Sequence, residues 1–507
     1  MTTPARREPA APEQVPLMTV ERGAGAPGLP PRAASPTKVF RPWSPEQAAL
    51  LPASKRDSLG DAHLAVFLLD LLPTLNLQPI RDAYPEDRGQ PPYDPRMMTV
   101  LLLYAYSQGL SSSRQIERRC REDLAFMYLT GDAQPDHDTI CAFRREHLPA
   151  FTTLFLETLR IAQEAGLLKL GRIALDGTKI RANASKHKAM SYARMPARQA
   201  ALHAEVQRLL EEAEALDRAE DAQYGRGRRG DELPAELRDP ATRPQRLREA
   251  KARLEAERKR ELAAQKQAQV EKIEHAQQAL EAQAREHAQA EGKANPEAAR
   301  PDPKAQRNFT DPESRIMKTA DGFQQCYNAQ VAVTVGPQLV VAADVVPAAN
   351  DKQQLQPMVA QVLANVGPPV GVIADSGYFS EANVQALEQR AGRPIEAHIA
   401  VERDRHGAPA TGPPRGRIPK GLSPAERMRR RLRTKEGRAI YAQRKTTVEP
   451  AIGQIKGRGF RRFSLRGVMG AKGEFQLICA VHNLVKLWRM GVAIVREPRA
   501  DREPAYA

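Results

Sequence analysis

The first ordered pattern in the chain is a set of apolar residues at helical spacing between residues 59 and 168. It appears in three segments, HLAVFLLDLLPTL, PRMMTVLLLYAYSQG and FTTLFLETLRIAQEAG. Apolar side chains that recur every three or four residues lie on one face of an α-helix. The pattern therefore predicts an all-α N-terminal domain over residues 59–168 whose helices pack through these faces.

Two shorter, polar segments lie between these helices, SSSRQIERRCRED and PDHDTICAFRREH. The candidate N-caps are Ser112 or Ser113 in the first segment and Asp136 or Asp138 in the second. Two capped helices joined by a turn are typical of a helix-turn-helix DNA reader, and Arg144 and Arg145 are its candidate DNA contacts. An ordinary helical bundle with solvated arginines fits the same pattern, as does a dimerisation domain.

A short apolar strand, RIAL, follows and ends at Asp176-Gly177. Residues 195–308 are then rich in Ala, Glu, Lys and Arg, and Leu202, Val206 and Leu209 recur there at three- and four-residue steps. We predict an antiparallel helical hairpin, or coiled coil, inserted into a second domain. It is either a solvated arm or a contact for DNA or for a second subunit.

Strand patterns return at residue 309 with FQQCYNAQVAVTV and QLVVAADVV, and a helix beginning at Asn350 or Asp351 leads to the buried strand GVIADSG. Three strands that can meander, followed by βαβ units, are typical of a ribonuclease H-like α/β sheet, formed here by residues 169–194 and 309–490. The first and fourth strands are neighbours in such a sheet. Asp176 and Asp375 would then lie at adjacent strand ends, and Glu449 would come from a helix packed across the sheet.

The two ends of the chain lack apolar periodicity. Residues 1–58 are rich in Pro, Ala, Gly and Arg, and we expect a disordered leader there and a disordered tail at 491–507. The leader has no apolar segment typical of a secretory signal, and no apolar run reaches the roughly 18 residues of a membrane span. The four scattered cysteines indicate reduced cytosolic thiols rather than a disulfide framework or a zinc site.

Positive charge is concentrated near Glu449. The whole chain of 507 residues has a formal net charge of +16. Residues 427–466 alone contain fourteen Lys and Arg side chains and two acidic ones. Such clustering favours a nucleic-acid partner whose phosphates the basic residues neutralise, with Arg458, Arg461 and Arg462 among the candidate contacts. The basic pI near 9.8 taken alone also fits a compositional bias.

Three carboxylates are the candidate chemical groups: Asp176, Asp375 and Glu449. Cleaving a phosphodiester requires an activated water or hydroxyl and stabilisation of the leaving oxygen, and two divalent ions about 3.5–4 Å apart supply both. Mg²⁺ keeps several waters, so three carboxylates on rigid elements suffice. A simpler interpretation makes each aspartate a turn residue after a strand. For Glu449 the simpler interpretation is a capping box, TTVE, before a helix that begins near Pro450.

With their surroundings, these segments resemble the DDE transposases of bacterial insertion sequences, in the group with a Tyr-x-x-Arg … Glu … Lys signature. The matching strings are DGTKIRANAS, ADSGY and RKTTVEPAIGQIK, with PESRIMKTADGFQQCYNAQVAV and FRRFSLRG … HNLVKLWR. They extend from about His63 to Trp488. The resemblance implies that Asp176, Asp375 and Glu449 are a catalytic triad that binds Mg²⁺ or Mn²⁺, as two ions.

The chain departs from the family signature at one point. Four residues separate Arg444 from Glu449, where the family has three. Either Lys445 takes the arginine position, or Tyr441 and Arg444 lie on a shifted loop. Lys456 keeps the usual spacing after Glu449 and lies two helical turns further on, so we expect it to contact DNA phosphate near the cut. The simpler interpretation of Lys456 is an exposed surface lysine.

The resemblance implies a DNA transposase that cleaves double-stranded DNA at the element's terminal inverted repeats and joins the freed 3′-OH to target DNA. Pairing two ends implies at least a homodimer. The expected location is the bacterial cytoplasm, at the nucleoid when DNA is bound, with no membrane partner. Two other functions remain open: a non-catalytic DNA-binding protein from a decayed element, and a ribonuclease H-like nuclease without strand transfer.

Overall fold

The computed structural model describes residues 54–84, 92–224, 243–293, 295–402, 414, 419 and 421–492. Most of the predicted leader and tail, and the Gly- and Pro-rich breaks expected between the two helices of the inserted hairpin, lie outside these residues. Within them, no helix combines the length and apolar character needed to cross a membrane.

The N-terminal part of the described chain is helical. Its helices are α1 (Lys55–Leu59), α2 (Leu64–Leu71), α3 (Gln78–Arg81), α4 (Pro95–Ser107), α5 (Ser113–Glu122), α6 (Leu124–Thr130), α7 (His137–Glu146) and α8 (Leu148–Glu164). Helix α4 lies at the centre, since every residue from Met98 to Tyr106 is buried. A helix that is apolar on all sides has to be enclosed by others. The hydrophobic run in the sequence therefore becomes a central helix of the bundle.

The structure corrects the predicted helix-turn-helix. Helices α5 and α7 are not joined by a simple turn, because α6 lies between them. Asp123 caps α6 by accepting a hydrogen bond from Ala125 N at 3.0 Å, and Gly131 ends it with a left-handed φ of 57°. Asp136 caps α7 as predicted and accepts from Thr139 N at 2.6 Å. Ser112 precedes α5, but its side chain makes no capping bond.

Two long helices pair after the first strands: α9 (Met195–Tyr224) and α10 (Arg243–Ala290). Ion pairs show the register, with Glu205 3.1 Å from Lys266 and Glu212 3.0 Å from Lys259. The helices run antiparallel, because the residue numbers rise on α9 as they fall on α10. Apolar side chains fill the seam, and Leu202 belongs to a cluster with α10 residues.

The second part of the described chain is a mixed sheet covered by helices. Its strands are β1 (Arg172–Arg181), β4 (Arg315–Thr319), β5 (Gly322–Thr334), β6 (Val340–Val346), β7 (Gly371–Ala374) and β8 (Glu396–Ile399), while β2 (Ala189–Ser191) and β3 (Gln306–Asn308) form a separate pair. The order is β5-β1-β7-β8, and β4 and β6 share the other edge of β5. Strands β1, β7 and β8 are parallel. The predicted adjacency of the two Asp-bearing strands is confirmed by the pairing of β1 with β7.

Five further helices follow the central strands: α11 (Leu355–Val366), α12 (Glu381–Glu388), α13 (Pro424–Arg433), α14 (Lys435–Gly457) and α15 (Gly467–Arg489). Helix α11 begins later than predicted, because Asn350 and Asp351 lie in the loop before it rather than at its N-cap. Helix α15 is buried over most of its length and contacts α4, α8 and β6. One continuous hydrophobic core therefore includes the N-terminal helices and the sheet.

Arg144 belongs to this core rather than to a DNA-facing surface, which corrects its predicted role. It is only 4% exposed and donates hydrogen bonds to Tyr106 Oη at 3.1 Å and to the Ser111 carbonyl. Tyr106 in turn donates to Glu474 of α15 at 3.0 Å. Buried charges are held where opposite charge and hydrogen bonds compensate their desolvation. Arg145, the next residue, is exposed.

We expect Arg144→Met to lower the free energy of unfolding by about 3–5 kcal/mol, because the substitution leaves Glu474 buried without its compensating charge. Arg145→Met is the matched control and should stay within about 0.5 kcal/mol of wild type. Urea denaturation followed by circular dichroism measures both. Equal midpoints for the two variants would contradict the role given to the buried network.

Candidate active site

Two aspartates lie where the parallel pairing of neighbouring strands stops: Asp375 directly after β7, and Asp176 within β1. The predicted end of the first strand at Asp176-Gly177 is wrong, because β1 continues to pair with β5 as far as Arg181. In the pairing of β1 with β7, Ala174 lies opposite Ile373, and Asp176 and Asp375 each follow two residues later. Asp176 accepts a hydrogen bond from Gly177 N at 2.8 Å, and Asp375 accepts from Gly377 N at 2.9 Å. A backbone turn follows Asp375 and orients its carboxylate, whereas extended backbone follows Asp176. The turn interpretation is therefore wrong for Asp176, while for Asp375 it describes the same residue as the site interpretation.

Burial raises the pKa of Asp176 to about 6, against the opposing charge of Arg444, and the negative charge of Asp375 adds to the rise. A carboxyl removed from water is harder to ionise, and a second carboxylate nearby makes ionisation harder still. Arg444 favours the charged form of Asp176 but does not cancel these two effects.

Glu449 lies within helix α14, not at its start. Thr434 caps this helix by accepting from Gly437 N at 2.9 Å, and the helix continues through Pro450 to Gly457. The capping-box interpretation of Glu449 is therefore wrong. Because its carboxylate is not needed to cap the helix and its side chain is 45% exposed, it is available to the site.

Arg444 lies between two of the three predicted carboxylates. Its Nη1 is 2.9 Å from Asp176 Oδ2, and its Nη2 is 2.9 Å from Glu449 Oε1. Burial opposes the charge of this guanidinium, but the carboxylates outweigh burial, and the pKa of Arg444 is raised. Arg444 is thus a protein-supplied cation at the centre of the acidic group.

The same geometry decides between the two explanations of the four-residue spacing between Arg444 and Glu449. Arg444 lies within a continuous helix and points into the site, whereas Lys445 is exposed. Tyr441 is half-buried on the same helix and packs against the core. Arg444 therefore occupies the place nearest to the carboxylates, and neither residue lies on a shifted loop.

Asp351, which the sequence suggested only as a helix cap, is a fourth acidic residue of the site. Its negative charge contributes to the raised pKa of Asp176. Its Oδ1 accepts hydrogen bonds from Asn328 Nδ2 at 2.6 Å and from Gln330 Nε2 at 2.7 Å. The signal available in the sequence was the pair of amides Asn328 and Gln330 in strand β5, since buried amides require partners.

Gly177 makes room for this network. A Cβ at residue 177 would lie 2.7 Å from Asp351 Oδ1 and closer still to Gln330 Nε2. A Cβ at Gly377 would lie 3.0 Å from Asp375 Oδ1 and 3.4 Å from Asp351 Oδ2. Gly177 and Gly377 therefore leave room for the carboxylates to pack closely.

The predicted basic contacts lie around the same centre. Lys456 is half-buried near Asp176, and burial together with the charge of Arg461 lowers its pKa. The loop that follows α14 runs beside the end of β1, with Arg181 N donating to the Arg461 carbonyl at 3.1 Å. Arg461 and Arg462 are exposed on this loop, and Arg458, just before it, is half-buried. Lys456 thus lies close to Asp176 and Arg461 lies beside the end of β1, whereas Arg458 lies near Arg489 of α15.

The donor set consists of hard carboxylate oxygens, the ligand type that Mg²⁺ and Mn²⁺ prefer. Among the described residues, no three Asp, Glu, His or Cys side chains already form a group compact enough to hold a metal ion. Arg444 marks the position of positive charge between Asp176 and Glu449. The chemistry of these side chains therefore suits a divalent cation, which would take the place of Arg444.

Two family models match the chain. Residues 55–146 match a family described as a transposase domain, DUF772, and residues 418–488 match a family described as a transposase DDE domain. These matches confirm the resemblance to DDE transposases of bacterial insertion sequences. The second match includes Glu449 and Lys456, whereas Asp176 and Asp375 lie in neither. Searches of the curated proteins and of the solved structures gave no match.

The matched DDE domain implies a ribonuclease H-like fold, and the observed sheet agrees with that inference. The first long strand, β1, is central, with an antiparallel neighbour on one side and parallel neighbours on the other. The helical N-terminal match falls on α1 to α7. The chain is therefore similar to DDE transposases over these two segments.

We expect Gly177→Ala to lower the free energy of unfolding by about 1–3 kcal/mol, because the added methyl group displaces the amides that hold Asp351. Gly453→Ala is the matched control on α14, where a Cβ meets nothing within 4 Å. It should raise stability by about 0.5–1 kcal/mol, since alanine favours a helix over glycine. Chemical denaturation measures both, and a neutral Gly177→Ala would contradict the packing argument.

Proposed function

We propose that this protein is the transposase of an insertion sequence, which cleaves DNA at the element ends and joins the freed strand to target DNA. The observation that carries the proposal is the convergence of Asp176 and Glu449 on one guanidinium, beside Asp375 on the adjacent strand. Three carboxylates on rigid elements in a basic surrounding suit phosphodiester chemistry.

Both proposed steps are in-line displacements at phosphorus. In the first, a water oxygen bonds to phosphorus as the P–O3′ bond breaks, which leaves a 3′-OH and a 5′-phosphate. In the second, that 3′ oxygen bonds to a target phosphorus and displaces another 3′ oxygen. Asp176, Asp375 and Glu449 would hold two Mg²⁺ or Mn²⁺ ions. When bound, such ions activate the attacking oxygen and stabilise charge on the leaving one.

The basic side chains around the centre would hold the DNA backbone. Phosphate contacts position DNA without reading its bases, so this surface suits both element ends and target DNA. The proposed contacts are Lys456, Arg444, Lys445, Tyr441, Arg458, Arg461 and Arg462. Arg444 would pass from its carboxylates to phosphate when metal and DNA arrive. Arg145, exposed at the end of α7, stays a candidate for end recognition.

The remaining parts of the proposal concern assembly and location. Synapsis of two terminal inverted repeats requires at least two active sites, so we propose a homodimer or a higher oligomer on DNA. The α9–α10 hairpin is proposed as an insertion within the catalytic domain, either a structural arm or a contact for DNA or a second subunit. The proposed place of action is the cytoplasm, at the nucleoid.

The central test uses a plasmid that carries the DNA ends flanking the gene. We expect Mg²⁺-dependent cleavage at those ends and joined products, and loss of both with EDTA. Asp375→Asn should lower both activities by at least about a hundredfold, because it removes a metal-binding charge. Asp321→Asn, an exposed substitution in the turn between β4 and β5, is the control and should retain activity.

The alternatives predict other products in the same assay. Cleavage without joining would indicate a ribonuclease H-like nuclease. Binding without cleavage, equal in wild type and Asp375→Asn, would indicate a non-catalytic DNA-binding protein from a decayed element.

Competition between Arg444 and the metal gives a second prediction. Without DNA, Arg444→Gln should bind Mn²⁺ about tenfold more tightly than wild type, because no guanidinium then neutralises Asp176 and Glu449. Lys445→Gln removes the same charge from the neighbouring exposed position and is the matched control. Isothermal titration calorimetry measures both. Equal changes in Mn²⁺ affinity for the two variants would mean that only net charge matters. That result would contradict a specific competition between Arg444 and the metal ion.

A further inference from the structure

Helix α14 contains a proline directly after the proposed catalytic glutamate. Pro450 has no N–H group, so it cannot donate the helical hydrogen bond to the carbonyl four residues earlier, that of Thr446. A proline inside a helix usually kinks or weakens it at that point. The position of Glu449 therefore depends on how the free Thr446 carbonyl is satisfied.

Gln338 supplies the missing donor from another part of the fold. Its Nε2 donates to the Thr446 carbonyl at 2.9 Å. The residue lies in the turn between β5 and β6, where it is one of two non-glycine residues with positive φ, at 58°, in the described chain. A left-handed conformation is unfavourable for a residue with a side chain, so the fold has to hold it there.

Contacts with Lys486 and His482 hold Gln338 in that conformation. Its Oε1 accepts from Lys486 Nζ at 2.7 Å and from Gln454 Nε2 at 3.4 Å, and its backbone carbonyl faces His482 Nε2 at 3.0 Å. Lys486 and His482 belong to the core helix α15. The turn is thus anchored to α15 on one side and presents one amide donor to α14 on the other.

We propose that Gln338 is a positioning residue for Glu449. Its amide replaces the hydrogen bond that Pro450 removes, and this fixes the direction in which α14 presents Glu449 to Asp176. Because Gln338 follows strand β5, which pairs with β1, the contact ties the glutamate helix to the sheet that carries the aspartates. The proposal rests on the proposed function, which makes Glu449 a catalytic group.

Substitutions at residues 338 and 450 distinguish the effect of the Gln338 amide donor from the effect of its left-handed backbone. Gln338→Gly permits the left-handed conformation and removes the amide donor, and Gln338→Glu keeps the side-chain length and replaces the amide donor with a carboxylate. Pro450→Ala restores an N–H that can bond to the Thr446 carbonyl within the helix. Gln454→Ala is the control, because it removes a contact to Gln338 and leaves the amide donor on Thr446.

The first readout is hydrogen–deuterium exchange of residues 446–457 in the protein without DNA or metal. The second is the rate of DNA cleavage, split into kcat and KM. We expect Gln338→Gly and Gln338→Glu to speed exchange in this segment and to lower kcat by about tenfold with little change in KM, because a catalytic group is misplaced. Gln454→Ala should change neither readout.

The double variant Gln338→Gly/Pro450→Ala tests whether the Gln338 amide acts through the Thr446 carbonyl. We expect its exchange and kcat to match those of Pro450→Ala alone, because the restored N–H makes the amide unnecessary. Unchanged exchange and kcat in Gln338→Gly would overturn the proposal, as would a loss that Pro450→Ala does not suppress. Exchange needs no catalysis, so a wild-type protein that fails to cleave DNA would contradict the proposed function and leave the positioning test intact.

Discussion

The site depends on one electrostatic constraint: carboxylates brought together in a half-buried place require a cation. Asp176 and Glu449 come from a strand and from a helix far apart in the sequence, and Arg444 joins them through two ion pairs of 2.9 Å. Without positive charge, burial and mutual repulsion of the carboxylates would destabilise the packing of α14 against β1. The guanidinium keeps the acidic centre assembled, and a metal ion that displaces it would meet ligands already oriented.

The rigid frame behind this centre comes from buried polar contacts between distant segments. Glu474 of α15 receives hydrogen bonds from Tyr106 of α4 and from the backbone of Ser464 and Leu465. Asn483 of α15 bonds to both backbone groups of Val340 at the start of β6. A helix that is apolar enough to be a core element thus also carries the polar groups that orient its neighbours. The N-terminal helices and the sheet are held in one core for this reason.

Much of the fold and part of the site could be predicted from local patterns. Apolar periodicity identified helices such as α4 and α8, and the strand-then-Asp strings identified β1, β7 and the neighbouring positions of Asp176 and Asp375. Local patterns were misleading where one short sequence fits two different local structures. The string TTVE reads as a capping box, yet α14 had already begun at Lys435. Arg144 was assigned to the surface because its burial depends on Tyr106 and on the charge of Glu474, which come from other helices.

The sequence by itself carried the resemblance to DDE transposases, in long strings around three carboxylates, and a concentrated basic segment that indicates a polyanionic partner. It also identified many of the strands and helices, because periodicity is a local property, but it missed α6 and the full length of β1. Only the tertiary structure decided which residues surround the carboxylates. Asp351, Gln338 and the role of Arg444 depend on contacts across loops and between layers, and such contacts leave no fixed spacing in the chain.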